Sequence, residues 1–285
     1  MEAICQTGAE FIPTGGPLGA EVRGVDLAQE QPGEIVFSIL RAFAQYQVLI
    51  FRGQELDLER HLEVAQWFGP LYVPDPDKQL CEHGTAPVSI ISNVVEGGFL
   101  GHGELSCHSD LPYLPVPVMG SALFAIEIPP SGGETSWSNL YQAYDALNEG
   151  IKTEIADVKV CAVNPMFGRT HQPSVGGRSQ HYADYTIPTF PHPLVRTHPE
   201  TGRRSLFVSY ASFELMGLDD PDRSRELLEQ LQAHVDQDCW YYTHRWRVGD
   251  LVIWDNRCTN HKRRRFDSSQ RRVMRRVVIA GTVPF

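Results

Sequence analysis

Apolar residues in this chain gather in short runs that end at glycine or proline. Val48-Leu49-Ile50-Phe51 stops at Arg52-Gly53, the run over 121–128 stops at Pro129-Pro130, and Leu251-Val252-Ile253-Trp254 follows Gly249-Asp250. Runs of four to eight apolar residues punctuated in this way fit buried strands joined by turns. Val277-Val278-Ile279-Ala280 continues the series, and 20–27 alternates apolar with polar residues as a half-buried strand does. The 24 Gly and 20 Pro are spread over the whole chain, which argues against a helical bundle. Helical spacing is limited to a few segments. Val36, Ile39, Leu40 and Phe43 share one face, 58–68 ends at Gly69-Pro70, and a short helix is predicted over 140–147. Leu227, Leu228, Leu231 and Val235 line a helix opened by Asp220-Pro221. The pattern predicts a mainly β fold with surrounding helices.

No internal repeat or low-complexity linker divides the chain, so 1–285 reads as a single domain. The stretch 165–193 is rich in Gly, Pro, Ser and His with weak periodicity, and is expected to form an active-site lid or insert. Thirty-five acids against 25 bases leave a net charge of −10, which disfavours nucleic acid and anionic membrane as partners. No apolar run approaches the ~20 residues of a membrane span. The start lacks a basic segment followed by an apolar one, so a cytoplasmic location is expected. The six cysteines are scattered without a C-x-x-C pair and read as reduced structural thiols.

Three His-x-acid triplets look alike until geometry separates them. His234-Val235-Asp236 and His61-Leu62-Glu63 fall in helical segments, where residues two apart point away from each other. His108-Ser109-Asp110 lies in an extended stretch before Pro112, where residues two apart share a face and can meet one ion. His198-Pro199-Glu200, in a turn, is the geometric competitor. Two ligands do not hold iron, and His261, just past the buried strand at Trp254, offers a third. Two imidazoles and one carboxylate on one face of an ion form the arrangement of non-haem Fe(II) oxygenases.

Arginines cluster after this histidine. Arg272, Met274 and Arg276 alternate along an extended segment, so Arg272 and Arg276 share a face suited to gripping a carboxylate. The bland alternative for Arg271, Arg272, Arg275 and Arg276 is a solvated basic face, or a nucleic-acid patch built with Lys262, Arg263, Arg264 and Arg265, which the net charge of −10 disfavours.

With those residues in place, the chain resembles the taurine dioxygenase family (taurine/2,4-dichlorophenoxyacetate dioxygenases). The resemblance rests on an ordered set of motifs. Gly19 to Leu27 comes first, then Val48 to Gln54 and Phe68-Gly69. His108-Ser109-Asp110, Gly132-Gly133-Glu134-Thr135, and Trp254-Asp255-Asn256-Arg257 with His261 follow, and Arg276 stands fifteen residues after His261. The resemblance implies a double-stranded β-helix (jelly roll) core. It also implies a non-haem Fe(II)/2-oxoglutarate-dependent dioxygenase that uses O2, converts 2-oxoglutarate to succinate and CO2, and hydroxylates or desaturates a C–H bond of a small organic molecule. His108, Asp110 and His261 would be the catalytic iron ligands. Arg276 would bind the distal carboxylate of 2-oxoglutarate, Thr135 would add a hydroxyl hydrogen bond, and Arg272 would be a second cosubstrate arginine. Trp137 and Trp254 read as packing residues. Val73, Glu104, Leu111, Tyr113, Tyr210 and Phe213 are expected around the substrate, Glu104 favouring an amine or hydroxyl. A homo-oligomer, dimer or tetramer, is expected by the same resemblance. The alternative is a jelly-roll metal-binding or sensor protein without turnover.

Overall fold

The computed structural model describes residues 8–73, 88–96, 98–101, 103–163 and 189–285. Most of the stretch expected as a lid, 165–188, lies outside the described residues. The first strands are β1 (Glu10–Pro13), β2 (Ala20–Arg23), β3 (Val48–Phe51), β4 (Val88–Ser92), β5 (Phe99–Leu100) and β6 (Leu105–His108). The central ones are β7 (Gly120–Glu127), β8 (Thr135–Asn139), β9 (Lys159–Ala162), β10 (His192–Pro193) and β11 (Val195–Thr197). The rest are β12 (Arg204–Leu206), β13 (Ser212–Met216), β14 (Tyr241–His244), β15 (Leu251–Asp255), β16 (Thr259–Arg263) and β17 (Val273–Ile279).

Two sheets carry the architecture. An eight-stranded sheet runs β1-β2-β3-β15-β7-β17-β4-β5, and a four-stranded sheet runs β14-β8-β16-β6. The strand parity explains why the apolar runs are continuous rather than alternating. Leu49 and Phe51 of β3, with Leu251 and Ile253 of β15, pack with Ile35, Ile39 and Phe43 of the helix Gly33–Tyr46 and Val64 and Ala65 of the helix Leu58–Gln66. Their neighbours Val48, Ile50, Val252 and Trp254 turn the other way and meet Trp137 of the small sheet. Both faces of the large sheet are therefore covered, as unbroken apolar strands require. Each fully buried Leu, Ile or Phe contributes roughly 1.5–3 kcal/mol. This is the jelly-roll arrangement expected, and the space between the two sheets is where inward polar residues must collect.

The helices start where their caps dictate. Asp57 accepts the Arg60 N–H, and Asp220 accepts the N–H groups of Asp222 and Arg223 ahead of the helix Pro221–Val235. The first helix ends at Gln47, whose φ of 63° turns the chain straight into β3. The helix expected over 58–68 stops at Gln66, before Gly69. Val235 is fully covered in its helix, and His234 there is spent on the Ala143 carbonyl. His61 is likewise buried in a helix, where it accepts a hydrogen bond from Arg275 Nε.

Candidate functional site

β6 and β16 are neighbours in the small sheet, with His108 and His261 directly opposite each other in the register. Their imidazole centres lie 4.2 Å apart. Asp110 follows two residues after His108, with its Oδ1 3.8 Å from His261 Nε2. One ligand atom from each of the three residues lies within 4.8 Å of the others, and all three residues are buried. The convergence is long-range: it depends on pairing β16 beside β6 and on a tight turn after Asp110, where Leu111 adopts a φ of 48°.

The hydrogen bonds prepare this donor set. His108 Nδ1 is 2.7 Å from the Ser106 carbonyl, so it carries the proton and leaves the Nε2 lone pair for a ligand. Burial, reinforced by His108, pushes the His261 imidazole down to about 3, which keeps it neutral. Burial works to raise the Asp110 carboxyl. Arg276, both imidazoles and the Ser121 hydroxyl outweigh it and hold the group well below the ordinary carboxylate range. Ser121 Oγ donates to Asp110 Oδ2 at 2.8 Å, and Arg276 Nη1 donates to Oδ1 at 3.2 Å. Two neutral imidazole nitrogens and one ionised carboxylate are what a divalent first-row metal requires.

A narrow cavity opens from the triad between the sheets. Its walls include Ile91, Leu100, Leu123, Thr135 and Trp254, and three arginines, Arg263, Arg272 and Arg276, point into it. Arg276 stands at the metal end, bound to Asp110, and not at the distal end that the sequence suggested for it. Arg272 is 2% exposed, packs beside Gly133, and has no hydrogen-bond partner for Nε or Nη1 among the described residues. Burial, then the like charge of Arg263, lowers its guanidinium to about 9. An uncompensated buried cation is costly, so this geometry suits an anion arriving from outside. Thr135 is buried near the same segment and accepts a hydrogen bond from Trp246 Nε1 at 3.0 Å. Trp254 packs tilted against the His261 ring, 4.9 Å between centres, and 5.6 Å from Trp137, a packing role at the edge of the cavity.

None of the six residues expected around the substrate is among the described residues lining this cavity. Glu104 is exposed, and with Tyr210 it lines a larger cavity between the small sheet and the helix Pro221–Val235. The two cavities share only Leu105 and Arg263. Nearness to His108 does not put Glu104 or Tyr210 in the triad cavity. Val73 and Tyr210 are largely exposed and Phe213 half-exposed, whereas Tyr113 is buried and Leu111 partly covered. Sequence reasoning also missed Ser121 and Arg263. Ser121 left no signal. Arg263 left one: it lies two residues past His261 on the same strand and so shares its face.

Comparison with known proteins bears on the chain as a whole. The sequence profile of the Taurine catabolism dioxygenase TauD, TfdA family matches residues 10–278. An alpha-ketoglutarate-dependent 2,4-dichlorophenoxyacetate dioxygenase of Cupriavidus pinatubonensis is 34% identical, with 91% of this chain and 93% of that protein aligned. A (S)-phenoxypropionate/alpha-ketoglutarate-dioxygenase of Sphingobium herbicidovorans is 31% identical over 95% of each chain. The crystal structure of AAD-2 in complex with Mn(II) and N-oxalylglycine superposes with a TM-score of 0.79 at 31% identity, covering 98% of this chain and 99% of that one. With a shared jelly roll, near-complete alignment and a matching profile, the chain belongs to the TauD/TfdA dioxygenase family.

Proposed function

We propose that this chain is a single-domain, Fe(II)- and 2-oxoglutarate-dependent dioxygenase that oxidises a C–H bond of a small organic molecule. One observation carries the reading: His108, Asp110 and His261 converge in a narrow cavity that also holds Arg272, a buried guanidinium with unused donors. Iron and 2-oxoglutarate, when bound, supply the oxidising chemistry, in which O2 is consumed and 2-oxoglutarate becomes succinate and CO2.

The chain's own residues bind, orient and exclude water. His108 and His261 present nitrogen lone pairs, and Asp110 supplies the negative charge. Ser121 and Arg276 fix the carboxylate's two oxygens, so the ligand keeps one orientation. Arg276, at the metal end, is suited to the carboxylate beside the 2-oxo group. Arg272 takes the distal carboxylate, because its Nε and Nη1 are the donors left without partners there. Thr135 lies along the same arm of the cavity. Ile91, Leu100, Leu123 and Trp254 keep the space dry, which strengthens each of these charge contacts. Two of the relatives named above are, by name, dioxygenases of 2,4-dichlorophenoxyacetate and (S)-phenoxypropionate; for this chain the substrate class is a small organic molecule.

The test is anaerobic reconstitution with Fe(II), followed by measurement of 2-oxoglutarate binding and then of succinate release on adding O2 and a panel of small acids and amines. Saturable 2-oxoglutarate binding that requires the metal, with succinate release stimulated by a panel member, is the expected result. Metal binding without any affinity for 2-oxoglutarate would reject the enzyme reading in favour of a metal-binding protein without turnover.

A further inference from the structure

Arg263 belongs to the run of basic residues after His261, yet it is not a surface residue. It is 4% exposed and is the last residue of β16, two beyond His261 and on the same face. Its Nη1 donates to the Leu100 carbonyl at 2.5 Å and its Nη2 to the Gly103 carbonyl at 3.0 Å. Its guanidinium lies 5.7 Å from the Phe266 ring centre, and that of Arg272 lies 5.8 Å from the same ring. One aromatic ring therefore stands beside two like-charged guanidinium groups, both buried and both lining the triad cavity. Two buried cations held together in this way repel each other, and carbonyl dipoles compensate only part of the cost. Arg272, the nearer to Gly133, still has Nε and Nη1 without partners. A carboxylate entering between them would neutralise both.

We propose that Arg263 and Arg272 together form a two-guanidinium cradle for the distal carboxylate of the oxo acid, with Arg263 a cosubstrate-selecting residue. The inference rests on the cosubstrate reading above and adds to it a second cation at the tail end.

The experiment measures binding to the Fe(II)-loaded protein under anaerobic conditions by calorimetry, with two chelators. N-oxalylglycine carries the distal carboxylate, whereas oxalate reaches only the metal end. Arg263→Gln should weaken N-oxalylglycine and 2-oxoglutarate roughly tenfold or more, the scale of one charge-assisted contact. Oxalate should change less than about twofold, and Arg263→Lys should recover part of the loss. Equal loss for all three ligands would mean that Arg263 merely supports the fold, and would overturn the proposal. Unchanged affinity for N-oxalylglycine would overturn it too. Retained oxalate binding in Arg263→Gln shows that the variant is folded, and Arg263→Lys serves if it is not. If the wild-type protein binds oxalate but neither tailed ligand, the cosubstrate reading itself has failed. If the wild type binds all three and Arg263 makes no difference, only this inference has.

Discussion

Two buried clusters in this protein use the same residue types to opposite ends. His108, Asp110 and His261 form one; His198, Asp255 and Cys258 form the other, equally compact and equally buried. In the second cluster every coordinating atom is already committed. Asp255 accepts from Arg257 Nε at 2.8 Å and Nη2 at 2.6 Å, and from the Arg257 N–H. His198 Nδ1 accepts the Thr201 N–H, so its Nε2–H donates to Asp255 Oδ2 at 3.0 Å. Burial pushes the Cys258 thiol up, keeping it protonated. Arg196, 1% exposed, adds a second guanidinium close to Asp255. A dication has neither lone pair nor charge left to take there. The first cluster has both, with one carboxylate and two imidazoles facing a cavity instead of a guanidinium fork. Residue composition makes a cluster possible, but donors that face a cavity make it a site.

The contrast can be broken by substitution. Asp110→Ala or His108→Ala should lower succinate formation by more than about a hundredfold, because ligand loss exceeds the ten- to hundredfold cost of disturbing a ligand's hydrogen-bond partner. The melting temperature of metal-free His108→Ala should stay close to wild type, and retained activity in either variant would refute the ligand set. Asp255→Ala should do the reverse. It leaves Arg257 with only Glu200, removes the carboxylate beside the buried Arg196, and should cost about 3–5 kcal/mol in denaturant unfolding, while iron affinity of the folded fraction stays unchanged. Lost iron binding at unchanged stability would make the second cluster a metal site after all. Arg272→Leu should weaken 2-oxoglutarate binding by about 1.5–3 kcal/mol, roughly ten- to a hundredfold, without altering metal affinity.

Acid sharpens the comparison further. Burial raises the Asp255 carboxyl, but Arg257 and then His198 prevail and hold it below its ordinary value of 3.8. A carboxyl depressed in the folded state contributes stability that is complete above the unfolded value and fades as pH falls towards the folded one. Asp255→Asn should therefore flatten the loss of stability below about pH 4 in acid titrations monitored by circular dichroism. The smallest effect is expected for His198→Gln, about 1 kcal/mol for one net hydrogen bond.

How much of this was legible in the chain follows from what each signal encodes. The extended stretch before Pro112 allowed His108 and Asp110 to share a face, and the alternation of Arg272, just ahead of β17, with Arg276 within it brought both to one cavity. Parity applied once more would have brought Arg263 in beside His261, but its place in a basic run concealed it. The order of the arginines along the cavity was not legible. Arg276 is at the metal end because β17 crosses beside β7, whose Ser121 also reaches Asp110, and no local pattern reports that crossing. Glu104 and Tyr210 line a neighbouring cavity, because closeness in sequence, as for Glu104 and His108, says little about which side of a sheet a side chain occupies.

The amino-acid order by itself determined the strand-rich class, the period-2 faces and the kinds of donor available, since these depend on backbone geometry and side-chain chemistry over a few residues. Only the tertiary structure decided which donors converge and which are already spent. That choice depends on the pairing of β6 with β16 and on partners such as Arg257 and Ser106 that occupy a lone pair or leave it open.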